Sequence, residues 1–169
     1  ESQFFNGVQI IGTRGGGAGQ FNKPRSLAVD AADNLFVVDM TGRVQKFSPH
    51  GRFLLAWQMP QTDKGKPKGM CRDRAGNIVI IEPHYSRVNH FDPEGRLAQQ
   101  WGSPRGIGSP EAGSGADALI PRGEHGTNVG QLTLPRAAGV NSRGEIFVSE
   151  YGATERVQQF TADGTKCLR

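Results

Sequence analysis

Cysteine, aromatic side chains and long apolar runs are all scarce in this chain, and each scarcity excludes something. There are only 2 cysteines in 169 residues. Cys71 and Cys167 stand in unrelated settings, which leaves no disulfide framework and no CxxC metal knuckle. Cys71 lies in an apolar strand pattern and reads as a small core residue. No stretch approaches the roughly 20 apolar residues of a membrane-spanning helix. No signal peptide is visible; the chain opens on Glu1, which is compatible with a cleaved export signal and leaves the compartment open. No segment sustains an apolar stripe at i, i+3, i+4 and i+7 over three turns, so helices are not expected. A GxSxG elbow and a P-loop are missing too, and the glycines of RGGGAG precede a strand rather than a helix.

What is abundant is glycine, at 24 residues, with 10 prolines beside it. Without a collagen period, that richness means many tight turns and therefore many short strands. The formal charge of +4 and a pI near 9.4 are mildly basic. They permit an anionic partner without demanding one.

The chain also writes one sentence twice. GQFNKPRSLAVDAADNLFVVD, near the start, returns later as GQLTLPRAAGVNSRGEIFVSE. Aligning Pro24, Pro67 and Pro135 brings Asp30, Asp73 and Asn141 into register, followed by a turn and an apolar run ending in Asp39, Glu82 or Glu150. Arg43, Arg87 and Arg156 follow, each with a phenylalanine four residues on, Phe47, Phe91 and Phe160, and then a glycine, Gly51, Gly95 and Gly164. Trp57 and Trp101 stand fourteen residues after their arginines. Pro24 and Pro67 are 43 residues apart, the length at which four short antiparallel strands make one propeller blade. In this reading strand a is RSLAVD, strand b NLFVVD, strand c RVQKFS and strand d RFLLAW, each with its equivalents.

GQFNKPRSLAVDAADNLFVVDMTGRVQKFSPHGRFLLAW resembles an NHL repeat over the whole unit. GKPKGMCRDRAGNIVIIEPHYSRVNHFDPEGRLAQQWG resembles a second, and residues 130–169 resemble a third that is cut short in strand d. The expected fold is therefore all-β, with NHL-type four-stranded antiparallel blades of a propeller that has six blades when complete. The expected divisions are the outer strand of a preceding blade at 1–12, with Ile11 in the tryptophan position, then blades at 13–58, 59–102 and 129–169, with a loop inserted at 103–128. Three blades do not close a ring, since propellers run from about four to eight. Three readings follow: a piece of a longer propeller, two copies completing one ring, or an open stack whose flanks a protein partner covers. Bare blade faces are apolar and should associate.

The d–a and b–c loops share one rim of such a ring. Arg25, Lys68 and Arg136, each just after the repeat proline, should converge there and form an anion-binding ring. The competing reading has each snorkel to solvent or pair with Asp39, Glu82 or Glu150. His84, Tyr85 and Tyr151 fall in b–c loops of the same rim, where they could polarise a ligand or merely cap a strand. Arg43, Arg87 and Arg156 read as structural ties, and Trp57 and Trp101 as outer-strand packing. No cofactor is expected. His50, His84, His90 and His125 lack ligand spacing, so no metal is expected either. In the amidating lyase similar in repeat pattern, a zinc-binding histidine follows the proline; here Arg25, Lys68 and Arg136 occupy that place, and cations repel a cation. The resemblance implies a binding or scaffolding module, without chemistry of its own, within a larger protein assembly. The alternatives are part of a lyase- or hydrolase-type propeller enzyme, and RNA binding through the basic rim, for which aromatic platforms are sparse.

Overall fold

Each a–b turn is closed by the side chain that opens it. In the computed structural model, which describes residues 9–102 and 125–168, Asp30 Oδ1 accepts the amides of Ala32 and Asn34, and the Asn34 side chain donates back to Oδ2 at 2.9 Å. Asp73 and Asn77 repeat the exchange in the second unit, Asn141 and Glu145 in the third. A short polar side chain that satisfies backbone amides two and four residues on is what makes so tight a reversal stable. This accounts for the aligned Asp/Asn column.

Those turns organise three antiparallel sheets. The first runs β3 (Pro24–Val29), β4 (Leu35–Asp39), β5 (Arg43–Phe47), β6 (Phe53–Gln58), in that spatial order. The second runs β7 (Met70–Arg72), β8 (Ile78–Glu82), β9 (Arg87–Phe91), β10 (Leu97–Gly102). The third has β11 (Pro135–Val140), β12 (Ile146–Glu150) and β13 (Val157–Phe160), with an isolated Phe160–Cys167 bridge beyond. A two-stranded parallel pair, β1 (Thr13–Arg14) and β2 (Gln20–Phe21), leads into the first sheet. Pro83–Tyr85 forms a single 3-10 turn within the expected b–c loop, and Ser86 closes it with φ +47°. Among the described residues there is no α-helix, hence none long and apolar enough to cross a membrane.

The cores lie between sheets, not within them. Phe36, Val38 and Val44 pack against Met70, Ile78, Ile80 and Phe91. Val79, Ile81, Val88 and Trp101 pack against Ile146, Val148 and Phe160. Alternation along a strand sends one row of side chains to each neighbour, so β8 is buried on both faces. Cys71 packs into the second core as a free thiol, and burial pushes its pKa up to about 12.

The outer edge of each seam is a tryptophan on a glycine. Gly95 leaves no room for a Cβ, which would sit 2.7 Å from the Trp57 ring, and Gly164 stands the same way under Trp101. Ile11 occupies that position against Gly51, with Gln9 donating to the His50 carbonyl as Gln99 does to that of Asp163. Trp101 also donates its indole N–H to His90 Nε2 at 3.0 Å. That leaves His90 Nδ1 to carry the proton it gives Asp73 at 2.9 Å.

Candidate functional site

The residues before the repeat proline set the site's frame. In the first unit, Gln45 accepts the Gly19 amide and donates to the Gln20 carbonyl; in the third, Gln158 does the same with Gly130 and Gln131. GQ opens both copies of the repeated sentence because Gly19 and Gly130 hold positive φ, +72° and +83°, and the Gln20 and Gln131 side chains accept the amides of Gly17 and Asn128. The arginine two residues before Gln45 or Gln158 completes the tie. Arg43 donates to the carbonyls of Gly16 and Gln20, and Arg156 to those of Thr127, Asn128 and Gln131.

Those arginines also consume the acids at the strand b ends. Arg43 pairs with Asp39 at 3.5 Å, Arg87 Nε donates to Glu82 at 2.7 Å and Arg156 Nε to Glu150 at 2.6 Å. Asn22 and Thr133 add backbone amides to Asp39 and Glu150. In the second unit, where the loop reads TDKGKPK, no such amide arrives, and Glu82 Oε1 is buried without a hydrogen-bond partner among the described residues. Burial pushes the Glu82 carboxyl above its usual value, with Arg87 and Asn89 opposing.

Arg25, Lys68 and Arg136 are left over. Arg25 and Arg136 lie at the starts of β3 and β11, and Lys68 just ahead of β7, its amide held by the Ile81 carbonyl at 3.0 Å. All three line one cavity of about 350 Å³, together with Ser26, Gly69, Met70, Ala137 and Ala138. Gly69 makes the convergence feasible: a Cβ there would stand 2.7 Å from Ala137 Cα, so only glycine lets β7 and β11 approach this closely. Burial, and then the charges of Arg25 and Arg136, hold the Lys68 ammonium below the ordinary lysine pKa. Among the described residues none of the three side chains has an ion pair. The reading in which they pair with Asp39, Glu82 or Glu150 is thereby replaced, because those acids already serve Arg43, Arg87 and Arg156.

The other rim residues divide. Tyr151 is exposed and lies under the Arg136 guanidinium, 4.7 Å from ring centre to charge. Tyr85 is buried: its hydroxyl donates to Asp63 and accepts the Lys64 amide, and Arg87 covers its ring at 4.6 Å. The competition of Asp63 for its hydroxyl was not legible beforehand, because the two are 22 residues apart. His84 is exposed on the 3-10 turn and, like Tyr85, does not line the cavity. The inserted segment 103–128 lies outside the described residues up to 124; beyond it His125 meets Ser86 at 3.0 Å. Among the described residues no three His, Cys, Asp or Glu side chains gather as a metal-binding group.

The fold is similar to that of several solved structures. A virginiamycin B lyase from Staphylococcus aureus superposes with a TM-score of 0.56 at 13% identity, over 83% of this chain and 39% of the lyase. A Bacteroides thetaiotaomicron protein of unknown function gives 0.61 at 14% identity, over 83% of this chain and 34% of that one. The Pan2 WD40 domain of Neurospora crassa gives 0.55 at 12% identity, over 87% and 37% respectively. No protein-family model and no curated protein matches the chain. Identities this low carry the fold alone: the chain is a β-propeller region built of antiparallel blades, and it spans less than half the length of these structures.

Proposed function

We propose that this chain is a non-catalytic binding module of an NHL-type propeller, working within a larger protein assembly and taking an anionic group on its inner rim. The observation that carries the reading is the set of three basic side chains around one cavity, with no acid paired to them among the described residues. Like charge gathered this way costs stability, and a ligand of opposite charge offsets that cost. The assembly half of the reading rests on the flanks. Leu27 is 61% exposed while its counterpart Met70 is 7% exposed, and Val157 is 62% exposed while Val44 and Val88 are fully buried. The repeat places the same apolar residues at the flanks as inside, and apolar surface of that kind is covered in an assembly.

The test compares two variants of equal net charge. One carries Arg25→Gln, Lys68→Gln and Arg136→Gln; the other carries Arg14→Gln, Arg52→Gln and Arg72→Gln, at exposed positions elsewhere. Retention on a phosphate-bearing resin should fall for the rim variant and stay near wild type for the control. Equal loss in both would reduce the effect to net charge and remove the rim site.

A further inference from the structure

The rim cations differ from an ordinary basic patch in number and in delivery. Each comes from the same backbone position of a different blade, and Lys68 feels both Arg25 and Arg136. Arg136 is held by the face of Tyr151, which restrains a long side chain that would otherwise lose entropy on binding. Ser26 adds a hydroxyl to the lining, and the volume of about 350 Å³ is at the small end of ligand sites.

Resting on the reading of the rim as an anion site, we propose that its ligand is a terminal phosphoryl group, free or carried on a small monoester, with one oxygen facing each of Arg25, Lys68 and Arg136. The chemistry selects among anions. A terminal phosphoryl group carries about −1.5 to −2 charges and three strong acceptor oxygens. It matches three cations both in charge and in acceptor count. A carboxylate brings one charge and two oxygens, and leaves one cation without a partner. A phosphodiester within a nucleic acid also brings one charge per phosphate, and nucleic-acid binding adds stacking on free aromatic faces. Here Tyr85 is buried beneath Arg87, and Arg136 takes one face of Tyr151, so the two rim tyrosines leave a single ring face for a base to stack on. A bound dianion also favours the charged form of Lys68, so binding draws a proton onto that amine as the pH approaches its lowered pKa.

The experiment titrates the full chain at low ionic strength with phenyl phosphate, inorganic phosphate, dimethyl phosphate, benzoate and a single-stranded oligoribonucleotide, read by calorimetry. Phenyl phosphate should bind one to one, at least tenfold more tightly than dimethyl phosphate or benzoate. Inorganic phosphate binding equally well identifies the free ion as the ligand, and weaker binding identifies the ester; both agree with the proposal. Benzoate binding as tightly as phenyl phosphate, with both lost in the triple glutamine variant, would leave the anion rim standing and overturn the phosphoryl assignment. Tight oligonucleotide binding without phenyl phosphate binding would overturn it in favour of a polymer. If no anion distinguishes wild type from the triple variant, the rim reading itself fails. Lys68→Arg supplies a second readout: wild-type affinity should fall as the pH rises toward the lowered Lys68 pKa, and the variant should keep phenyl phosphate affinity at neutral pH and lose that alkaline fall. An unchanged alkaline fall in that variant would remove Lys68 from the site.

Discussion

Replacing Gly95 with alanine tests how the blades are seated on one another. Two costs add. Gly95 has φ +85°, a left-handed conformation that costs an alanine about 1–2 kcal/mol. Its new methyl would also stand 2.7 Å from Cδ2 and Cε3 of Trp57, whose ring is flanked by Phe36 and Phe91 at centroid distances of 6.1 and 5.6 Å. The ring packs against both aromatic neighbours, and overpacking of this kind costs about 1–3 kcal/mol. The total is about 2–5 kcal/mol. Gly76→Ala isolates the second cost, because Gly76 has φ +94° with no atom within 4 Å of its would-be Cβ. Both changes remove the same unfolded-state freedom. Urea unfolding followed by far-ultraviolet circular dichroism should therefore give Gly95→Ala about 1–3 kcal/mol less stability than Gly76→Ala, with unchanged m values. Equal stabilities, within about 0.5 kcal/mol, would show that the tryptophan seat contributes nothing and refute the packing argument.

Four further outcomes are expected. The Arg25, Lys68 and Arg136 triple glutamine variant should unfold at or slightly above the wild-type urea concentration, since it relieves a like-charge repulsion that at a solvated rim amounts to about 1 kcal/mol or less; outright unfolding would make these side chains structural ties. Met70→Ala should cost about 2–5 kcal/mol by opening the first interblade core, whereas Leu27→Ala at the open flank of the isolated chain should stay within about 0.5 kcal/mol; equal costs would mean that the flank is covered. Burial raises the Asp73 carboxyl, but hydrogen bonds from His90 and Asn77 outweigh it and hold the folded-state value below 3.8. Stability from that bond is thus full above 3.8 and lost as the pH falls through the lowered value, and Asp73→Asn should flatten this acid limb of the stability curve. A thiol reagent at pH 8 should leave Cys71 unlabelled until the chain is unfolded, because its thiol is held near a pKa of about 12; rapid labelling in the folded state would contradict its burial.

The sequence by itself determined the blade. A turn closed by Asp30, Asp73 or Asn141 is a local device, complete within four residues, so its column stands out in one dimension. Strand alternation is equally local, and the aligned tryptophans and glycines recur because each blade meets the next in the same way. Even the convergence of Arg25, Lys68 and Arg136 was legible, since equivalent positions in stacked repeats must neighbour one another. The allocation of charge was not. Nothing in the order of acids and bases along the repeat says that Asp39, Glu82 and Glu150 are spent on Arg43, Arg87 and Arg156, leaving the cations after the prolines without an ion pair among the described residues. Only tertiary structure decided that: the aligned columns offer each acid two basic partners, the strand c arginine and the cation after the proline, and ion pairing is settled by distances of a few ångströms. The two tyrosines make the same point. Both follow a strand b acid, yet Tyr85 is buried on Asp63 while Tyr151 stays exposed beneath Arg136, because the loop preceding the second blade brings Asp63 and the Lys64 amide onto the Tyr85 hydroxyl.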